Sequence, residues 1–524
     1  MMHDVFIFIE AFAFLYLAFL VGRFFMRRIP GMADVTLFSR PIYTILAGFG
    51  ILGLVGLLCA FFGIFSGWVL RILVFAFLCL SYSVLWSHLR MLAQTIRSPR
   101  FLFRRIRELF GKDFYFILIL VLWLGSNALI VPVPITGNDT LQYHQPIIQD
   151  FINTGRIDYK GTTHSVYGVL VFVELLYAMP SILFGDTVGP FIFQALQYGA
   201  LIMLLALIYG FVRKRTHHSF LGYAALFFIL AIFDLQREVM HGGYIDIFVI
   251  LFGLASVLLI IDRLDDGRGF VAPVVVLSAF LFGIAIGMKY TALFFAPPIG
   301  ALLLALLVRQ HISFKKKVLA LGMYGAVSFL VSGYWYIKNF IFFGNPFYPV
   351  FSLSGTAEDV GVFIVAKNVV NMILFPFLKF GAVSATDSST KLIVAAYFAA
   401  LYLCVALFFL IKRKTPGQSI YALFFFVHIY MWLMFFNSHQ TRFLLPAIII
   451  VPLLLILLGD VMYRYVRTIV SVSVYARIIK VSRVFFVMLF LLLFLGNMHY
   501  FYVKFLYKAG FYTEQGYIEK IGGQ

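Results

Sequence analysis

Apolar runs of about 18 residues or more recur along the whole chain, and they restrict the possible folds more than any other feature. A bilayer core about 30 Å thick accepts helices of roughly 20 such residues. Within lipid the backbone must satisfy its own hydrogen bonds, so these runs are predicted to be helices rather than open sheets. Hydrophobic residues make up 63% of the 524 and charged residues only 12%, which a soluble fold could not bury. The pattern therefore predicts an all-α integral membrane protein.

The spacing of the runs predicts about fourteen transmembrane helices, with interfacial helices in the outer loops. The predicted spans are 4–25, 41–64, 66–88, 114–132, 190–212, 219–234, 244–262, 270–288, 291–308, 317–338, 390–411, 418–436, 443–463 and 484–500. One more apolar stretch, Val166–Phe184, contains Glu174 and Pro180, which disfavour a plain lipid-facing helix. Counting it as a membrane crossing would also move every later loop to the opposite side of the membrane. We predict an interfacial or re-entrant helix on the outer face; the alternative is a crossing compensated by a miscounted segment.

The net charge of +19 does not indicate a nucleic-acid partner, because the basic residues fall in short clusters between apolar runs. Examples are Arg97–Lys112, Arg213–Arg215, Lys315–Lys317 and Lys412–Lys414. Cytoplasmic loops carry such an excess of Lys and Arg. The clusters predict a multi-pass protein of the plasma (inner) membrane with both termini outside.

The chain is predicted to have three parts. Residues 1–112 form additional N-terminal helices and a basic linker, and residues 113–500 form the transmembrane core with outer loops at 133–189 and 341–389. Residues 501–524 form an outer tail. No internal repeat is evident, which disfavours the inverted halves that are common in secondary transporters.

The first candidate for chemistry is the stretch VPVPITGNDTLQYHQPIIQ, which follows the fourth predicted helix. It places Asn138, Asp139, Tyr143 and His144 within seven residues. Prolines and a glycine end the helix and force a turn, so the Asp139 carboxylate should stay at the membrane surface. The competing interpretation is that Asp139 only caps the helix 140–152.

The second candidate is DLQREVMHGGYID, a short outer hairpin rich in ionisable groups. Glu238 and His241 lie in the hairpin, and Asp246 should lie just inside the next helix. A carboxylate at that depth is costly without a partner. The alternative is a solvated loop with an internal ion pair.

The third set consists of basic residues at predicted outer helix ends, against the general charge bias. Lys289 stands in GIAIGMKYTALFFAPP, and His439 and Arg442 stand in NSHQTRFLLPAIIIVP. Such side chains can extend to lipid phosphates without any further role. Alternatively they bind an anionic leaving group, since arginine holds phosphate oxygens in a bidentate fork.

Taken in order, these segments resemble the GT-C superfamily of polytopic glycosyltransferases, in particular the group similar to protein O-mannosyltransferases and the aminoarabinose transferase. The resemblance covers about residues 114–460 and rests on GNDTLQYHQPI, a helix starting with YID, GMKYTALFFAPP, NFIFFGNPFYPVF and HQTRFLLPAIIIVP. It implies a lipid-phosphate-linked sugar donor and a carboxylate in the first outer loop.

The resemblance also implies roles for individual residues. Asp139 matches the loop carboxylate, as base or acceptor orienter, and Asp246 matches a second acidic position. Lys289 and Arg442, with His439, match the positions that are expected to bind the donor phosphate. The chain departs from the pattern because one aspartate stands where the O-mannosyltransferases have an Asp–Glu pair, and because three extra helices precede the core.

The expected function is transfer of a hexosyl or pentosyl group from a polyprenyl-phosphate donor to an acceptor hydroxyl, with inversion, on the non-cytoplasmic face. The residues expected to contact acceptor or sugar are Asn138, Tyr143, His144, Glu238 and His241. No ligand cluster demands a metal, although a divalent cation at Asp139 and Asp246 stays open. The expected partners are the lipid-linked donor, membrane lipids and an acceptor of unknown class. The alternatives are a transporter or flippase of lipid-linked sugars, and a polysaccharide polymerase or ligase.

Overall fold

A computed structural model describes residues 2–27, 39–97, 113–133, 139–157, 170–185, 191–216, 218–232, 244–266, 272–309, 313–348, 418–437, 441–496 and 498–513, with a few single positions besides. Within these ranges the regular structure is helical and no strand occurs. The all-α fold class predicted from the apolar runs is therefore observed in the described part of the chain.

The α-helices are α1 (Met2–Met26), α2 (Ser39–Phe61), α3 (Gly67–Leu80), α4 (Tyr82–Arg97), α5 (Phe114–Ile130), α6 (Gln145–Thr154), α7 (Phe172–Phe184), α8 (Phe191–Arg215), α9 (Ser219–Leu230), α10 (Asp246–Asp266), α11 (Ala272–Met288), α12 (Ala296–Arg309), α13 (Phe314–Phe343), α14 (Gln418–Asn437), α15 (Leu445–Ile469), α16 (Val472–Gly496) and α17 (Met498–Lys508). A π-helical turn, Thr140–His144, precedes α6. Turns of 3₁₀ helix, Tyr290–Phe295 and Thr441–Leu444, precede α12 and α15.

Fewer helices have the length of a membrane span than the sequence predicts. Among the described residues, 7 helical segments are long and apolar enough to cross a membrane: Val5–Met26, Ser39–Phe61, Ile192–Arg215, Asp246–Leu264, Tyr290–Arg309, Phe314–Phe343 and Arg442–Ile469. The pair α3 and α4, bent by 70°, makes 8 if it counts as one span. The predicted number of about fourteen is therefore wrong for the described part of the chain.

The reason is that an apolar run does not reveal how long an unbroken helix it forms. Several predicted spans are apolar helices of 10–17 residues, among them Phe114–Ile130, Ser219–Leu230 and Ala272–Met288. At about 1.5 Å per residue even the longest of these extends only about 26 Å, short of a core about 30 Å thick. The predicted span 390–411 lies outside the described residues.

Helix α7 occupies most of the apolar stretch that complicated the count. It has 13 residues, and every side chain from Phe172 to Ser181 is buried. It packs against α2, α6 and α8. A helix of this length extends only about 20 Å, so α7 is an internal helix enclosed by protein rather than a plain membrane crossing.

The first two helices pack tightly against each other and against the rest of the bundle. A Cβ atom at Gly22 would overlap the Thr44 carbonyl, and one at Gly48 would overlap the Ala18 carbonyl. Small residues of this kind let two helix backbones touch within a membrane. Buried residues of α1 and α2 belong to the same hydrophobic cluster as those of α7, α8 and α11, so residues 1–112 contribute helices directly to the core.

The bundle has two chemically different ends. At the end that we call the site end, α5 finishes at Ile130, α10 starts at Asp246, α11 finishes at Met288 and the turn Thr441–Leu444 begins α15. The opposite basic end carries the last turn of α8, the last turn of α10, Arg309, Lys315–Lys317 and Arg464. The predicted inner basic segments at these positions thus lie opposite the predicted outer segments of the site end.

Candidate functional site

Asp139 and Arg442 form an ion pair between segments 303 residues apart. The Arg442 Nη1 donates to Asp139 Oδ2 over 2.7 Å, and the two side chains are 16% and 22% exposed. Asp139 directly precedes the π-helical turn, and its side chain makes no capping hydrogen bond to that turn. The interpretation of Asp139 as a mere helix cap is therefore excluded. Its carboxylate binds a cation from another helix instead.

Asp246 and Lys289 form a second ion pair between two other helix ends. The Lys289 Nζ donates to both Asp246 carboxylate oxygens, over 2.7 and 2.9 Å. Asp246 is the first residue of α10, where the positive end of the helix dipole favours a negative charge. It is buried, which makes the partner necessary because an unpaired buried carboxylate is strongly destabilising.

The Phe443 ring joins the two pairs. The Lys289 Nζ lies 5.1 Å from the centre of this ring, and the Arg442 guanidinium carbon lies 5.0 Å from it. Tyr244 presents a second aromatic face to Arg442 at 5.6 Å. Both distances to Phe443 are within the range of cation–π attraction. The cations that could have extended to lipid phosphates are therefore held inside the protein, side by side.

His144 and Glu174 form a third pair beside the first two. The His144 Nδ1 lies 2.5 Å from Glu174 Oε1, and the side chains are 1% and 0% exposed. His144 ends the π-helical turn that directly follows Asp139, and Glu174 lies in the first turn of α7. Single π-helical turns are frequent at functional sites.

Tyr143 places a phenol next to these charged groups. Its ring centre lies 4.2 Å from that of His144. Burial raises the pKa of the Tyr143 hydroxyl, and the carboxylates of Asp139, Glu174 and Asp246 raise it further. The hydroxyl therefore keeps its proton at neutral pH and can donate a hydrogen bond.

The structure brings together six of the ten residues predicted from the sequence. They come from the first outer loop, the start of α10, the end of α11 and the start of α15: Asp139, Tyr143, His144, Asp246, Lys289 and Arg442. The other four, Asn138, Glu238, His241 and His439, lie outside the described residues.

Glu174 is the site residue that the sequence did not identify. In the sequence it is only a reason against a plain lipid-facing helix, whereas in the structure it contacts His144. The signal was present in the sequence, because an acidic residue in an apolar helix needs a partner. The identity of that partner, 30 residues earlier, was not readable from spacing.

In the part of the chain that the structure describes, no three His, Cys, Asp or Glu side chains are grouped so that they could hold a metal ion. Asp139 and Asp246, the positions considered for a divalent cation, each bind a basic side chain instead. The cluster can thus offer carboxylates, an imidazole, a phenol and two cations to a substrate.

An apolar cavity of about 510 Å³ lies between α11, α12 and α13. Its walls include Gly300, Gly325 and Phe329, and Tyr336 and Phe347 stand at its site end. None of the four residues of the Asp139–Arg442 and Asp246–Lys289 pairs lines it. The cavity is therefore a feature separate from the charged cluster.

Comparison of the chain with protein-family models, with curated proteins and with solved structures finds no match. The function must accordingly be inferred from the motifs and from the geometry of the charged cluster.

Proposed function

We propose that the chain is a membrane glycosyltransferase of the GT-C type. It transfers a hexosyl or pentosyl group from a polyprenyl-phosphate donor to an acceptor hydroxyl. The observation that carries this proposal is the convergence of Asp139–Arg442 and Asp246–Lys289 around Phe443 at one end of the bundle. Two acids and two cations from four separate helix ends meet there.

The chemistry of transfer matches this set of groups. Attack of a hydroxyl on the anomeric carbon requires an orienting or proton-accepting group, and cations must stabilise the departing lipid phosphate. In this proposal Asp139 orients the acceptor, and Arg442 and Lys289 bind the phosphate oxygens. A guanidinium has five N–H donors in a fixed fork, more than one carboxylate oxygen uses, so Arg442 can contact both Asp139 and a phosphate.

A lipid-linked donor accounts for the membrane fold, because such a substrate cannot leave the bilayer. We place the site end on the non-cytoplasmic side of the plasma (inner) membrane, since the basic clusters at the other end match the distribution expected of cytoplasmic loops. The N-terminus then lies outside, because α1 runs antiparallel to α2 and α2 ends beside the first outer loop. The C-terminal tail lies outside too, because Lys508 contacts the end of α5.

The test is donor consumption by the purified full chain in liposomes. Polyprenyl-phosphate donors with labelled hexoses and pentoses are supplied with a cell-envelope lipid and glycan extract as acceptor. We expect release of polyprenyl phosphate and appearance of the label on one acceptor class. The matched control variant is Asp262→Asn, which removes a paired carboxylate at the basic end.

No consumption of any donor would contradict the proposal. Movement of intact labelled donor across the bilayer, with no transfer, would favour the transporter or flippase alternative. Growth of long glycan chains from the acceptor would favour the polymerase alternative.

A further inference from the structure

The His144–Glu174 pair is buried more deeply than any other ion pair in the described residues. Both side chains are almost fully buried, and the second carboxylate oxygen of Glu174 has no hydrogen-bond partner among the described residues. Next to it the Tyr177 hydroxyl also lacks such a partner there. A buried ion pair whose hydrogen-bonding groups are only partly satisfied contributes little to the stability of the protein. Replacement of such a pair by apolar residues of the same volume often leaves the protein at least as stable. The pair therefore calls for a functional explanation.

The charges around His144 show what the pair can do. The ionisable groups that surround it in the described part of the site are Asp139, Glu174, Asp246, Lys289, Arg442, Tyr143 and Tyr177. Three are carboxylates, two are basic side chains and two are phenols. With a neutral His144 this set carries one excess negative charge, and one proton on His144 balances it.

The other two acids are each bound to a cation. One oxygen of Asp139 accepts a hydrogen bond from Arg442, and both oxygens of Asp246 accept hydrogen bonds from Lys289. His144 instead is hydrogen-bonded through Nδ1 to an acid, which stabilises an imidazolium and leaves Nε2 as the atom that receives a proton.

We propose that His144 is the proton acceptor of the transfer reaction and that Glu174 is its positioning residue. This inference rests on the proposed function. The acceptor oxygen forms a bond to the anomeric carbon while the bond from that carbon to the phosphate oxygen breaks with its electron pair. The hydroxyl proton moves to His144 Nε2, and polyprenyl phosphate departs toward Arg442 and Lys289. Asp139 orients the acceptor.

The first test compares His144→Gln, Glu174→Gln and Glu174→Asp over a range of pH. His144→Gln should lower kcat by about 10²- to 10⁴-fold, the usual contribution of a general base. Glu174→Gln should reduce the rate and also move the acid limb of the pH–rate profile to lower pH by about one unit or more. The sign follows because removing the negative charge makes the imidazolium harder to form, so neutral His144 persists at lower pH. Glu174→Asp should restore the wild-type profile in part.

The control is Asp460→Asn, which removes another buried carboxylate but at the basic end, beside Arg464. It should leave the pH profile unchanged. If Glu174→Gln lowers the rate at every pH but leaves the acid limb of the pH–rate profile at the same pH, the proposal is overturned, because a merely structural role predicts that result. Wild-type activity in His144→Gln would overturn it too.

The second test does not need activity. The chain has 11 histidines, and a ¹³Cε1-histidine label in lipid nanodiscs gives a signal for His144 that is absent from His144→Gln. We expect this signal to titrate at lower pH in Glu174→Gln than in the wild type. Equal midpoints would overturn the pairing. If the wild type consumes no donor while the midpoints differ, the proposed function fails and the proton-exchanging pair is retained.

Discussion

At the site end, Asp139 binds Arg442 and Asp246 binds Lys289, whereas at the basic end Asp262 binds two adjacent cations of one helix, Lys214 and Arg215. The site-end pairs match one acid with one base from separate helix ends. At the basic end, Lys315 and Lys316 are exposed.

The difference indicates two uses of charge in one bundle. Excess cations at a surface can bind lipid phosphates and bias the orientation of the chain, and each exposed pair there contributes only about 0–1 kcal/mol. Matched charges in a partly buried cluster cost desolvation and are retained where they bind or react. The comparison therefore supports the proposal that the chemistry takes place at the site end.

The largest expected effect separates the two ends by activity. Asp139→Asn should abolish sugar transfer, with a loss of about 10²-fold or more, because it removes the carboxylate that we propose orients the acceptor. Expression and melting temperature should stay near wild type, since the side chain is partly exposed. Transfer is measured with the labelled donor, with Asp262→Asn as the variant expected to remain active. A fully active Asp139→Asn would remove the main assignment at the site.

The second effect separates the ends by stability. Lys289→Met leaves the buried Asp246 carboxylate without its cation and should cost about 3–5 kcal/mol. Lys214→Met should cost less than about 1 kcal/mol, because Arg215 still binds Asp262. The free energy of unfolding is measured in detergent by denaturant titration. Equal costs for the two variants would show that burial does not distinguish the ends.

The third effect concerns the donor. Arg442→Ala should raise the KM for the polyprenyl-phosphate donor by about 10-fold or more, with a smaller change for the acceptor. Steady-state rates at varied donor and fixed acceptor measure this split. Unchanged donor dependence would mean that Arg442 has only a structural role in the pair with Asp139.

The fourth effect tests which end faces outward. In a chain with its three cysteines replaced by serine, Val472→Cys at the basic end should resist an impermeant thiol reagent in intact cells. Phe511→Cys, near the site end, should react with it. Both positions are highly exposed, at 86% and 74%. Labelling of position 472 alone would reverse the proposed orientation.

The smallest effect contrasts a buried lysine near the site end with the exposed ones at the basic end. Burial lowers the pKa of Lys504 to about 7. Below that pH Lys504 is protonated in both the folded and the unfolded chain, and burial of its charge destabilises the fold in full. Above it the destabilisation falls as the pH rises toward the ordinary pKa of lysine, because Lys504 loses its proton in the folded chain only. The melting temperature should therefore rise more between pH 6.5 and 8.5 in the wild type than in Lys504→Met. Identical pH dependence would show that Lys504 is not buried in solution.

Some features of the site could be predicted because they are local. Asp139, Lys289 and Arg442 stand out in the sequence as charges at the ends of apolar runs, where a charge needs a reason. Their common end follows from the alternating direction of successive helices in the bundle. The pairing could not be predicted, because Asp139 and Arg442 are 303 residues apart and nothing in their spacing relates them.

Other features depended on the length of each helix rather than on its hydropathy. Helix α7 and the short helix α9 are as apolar as a membrane span, but too short to be one. An apolar side chain is equally stable against lipid and against a neighbouring helix. For this reason hydropathy predicted that these segments are buried, without distinguishing burial in protein from burial in lipid.

The sequence by itself determined that this chain is helical and belongs in a membrane, and it determined which end of the bundle collects the basic residues. Both depend on the transfer of side chains from water, which is a property of each residue and its neighbours. Only the tertiary structure decided that Asp139 binds Arg442, that Asp246 binds Lys289 and that Glu174 binds His144. Those contacts depend on how separate helices pack against one another, and a single helix carries no record of its partner.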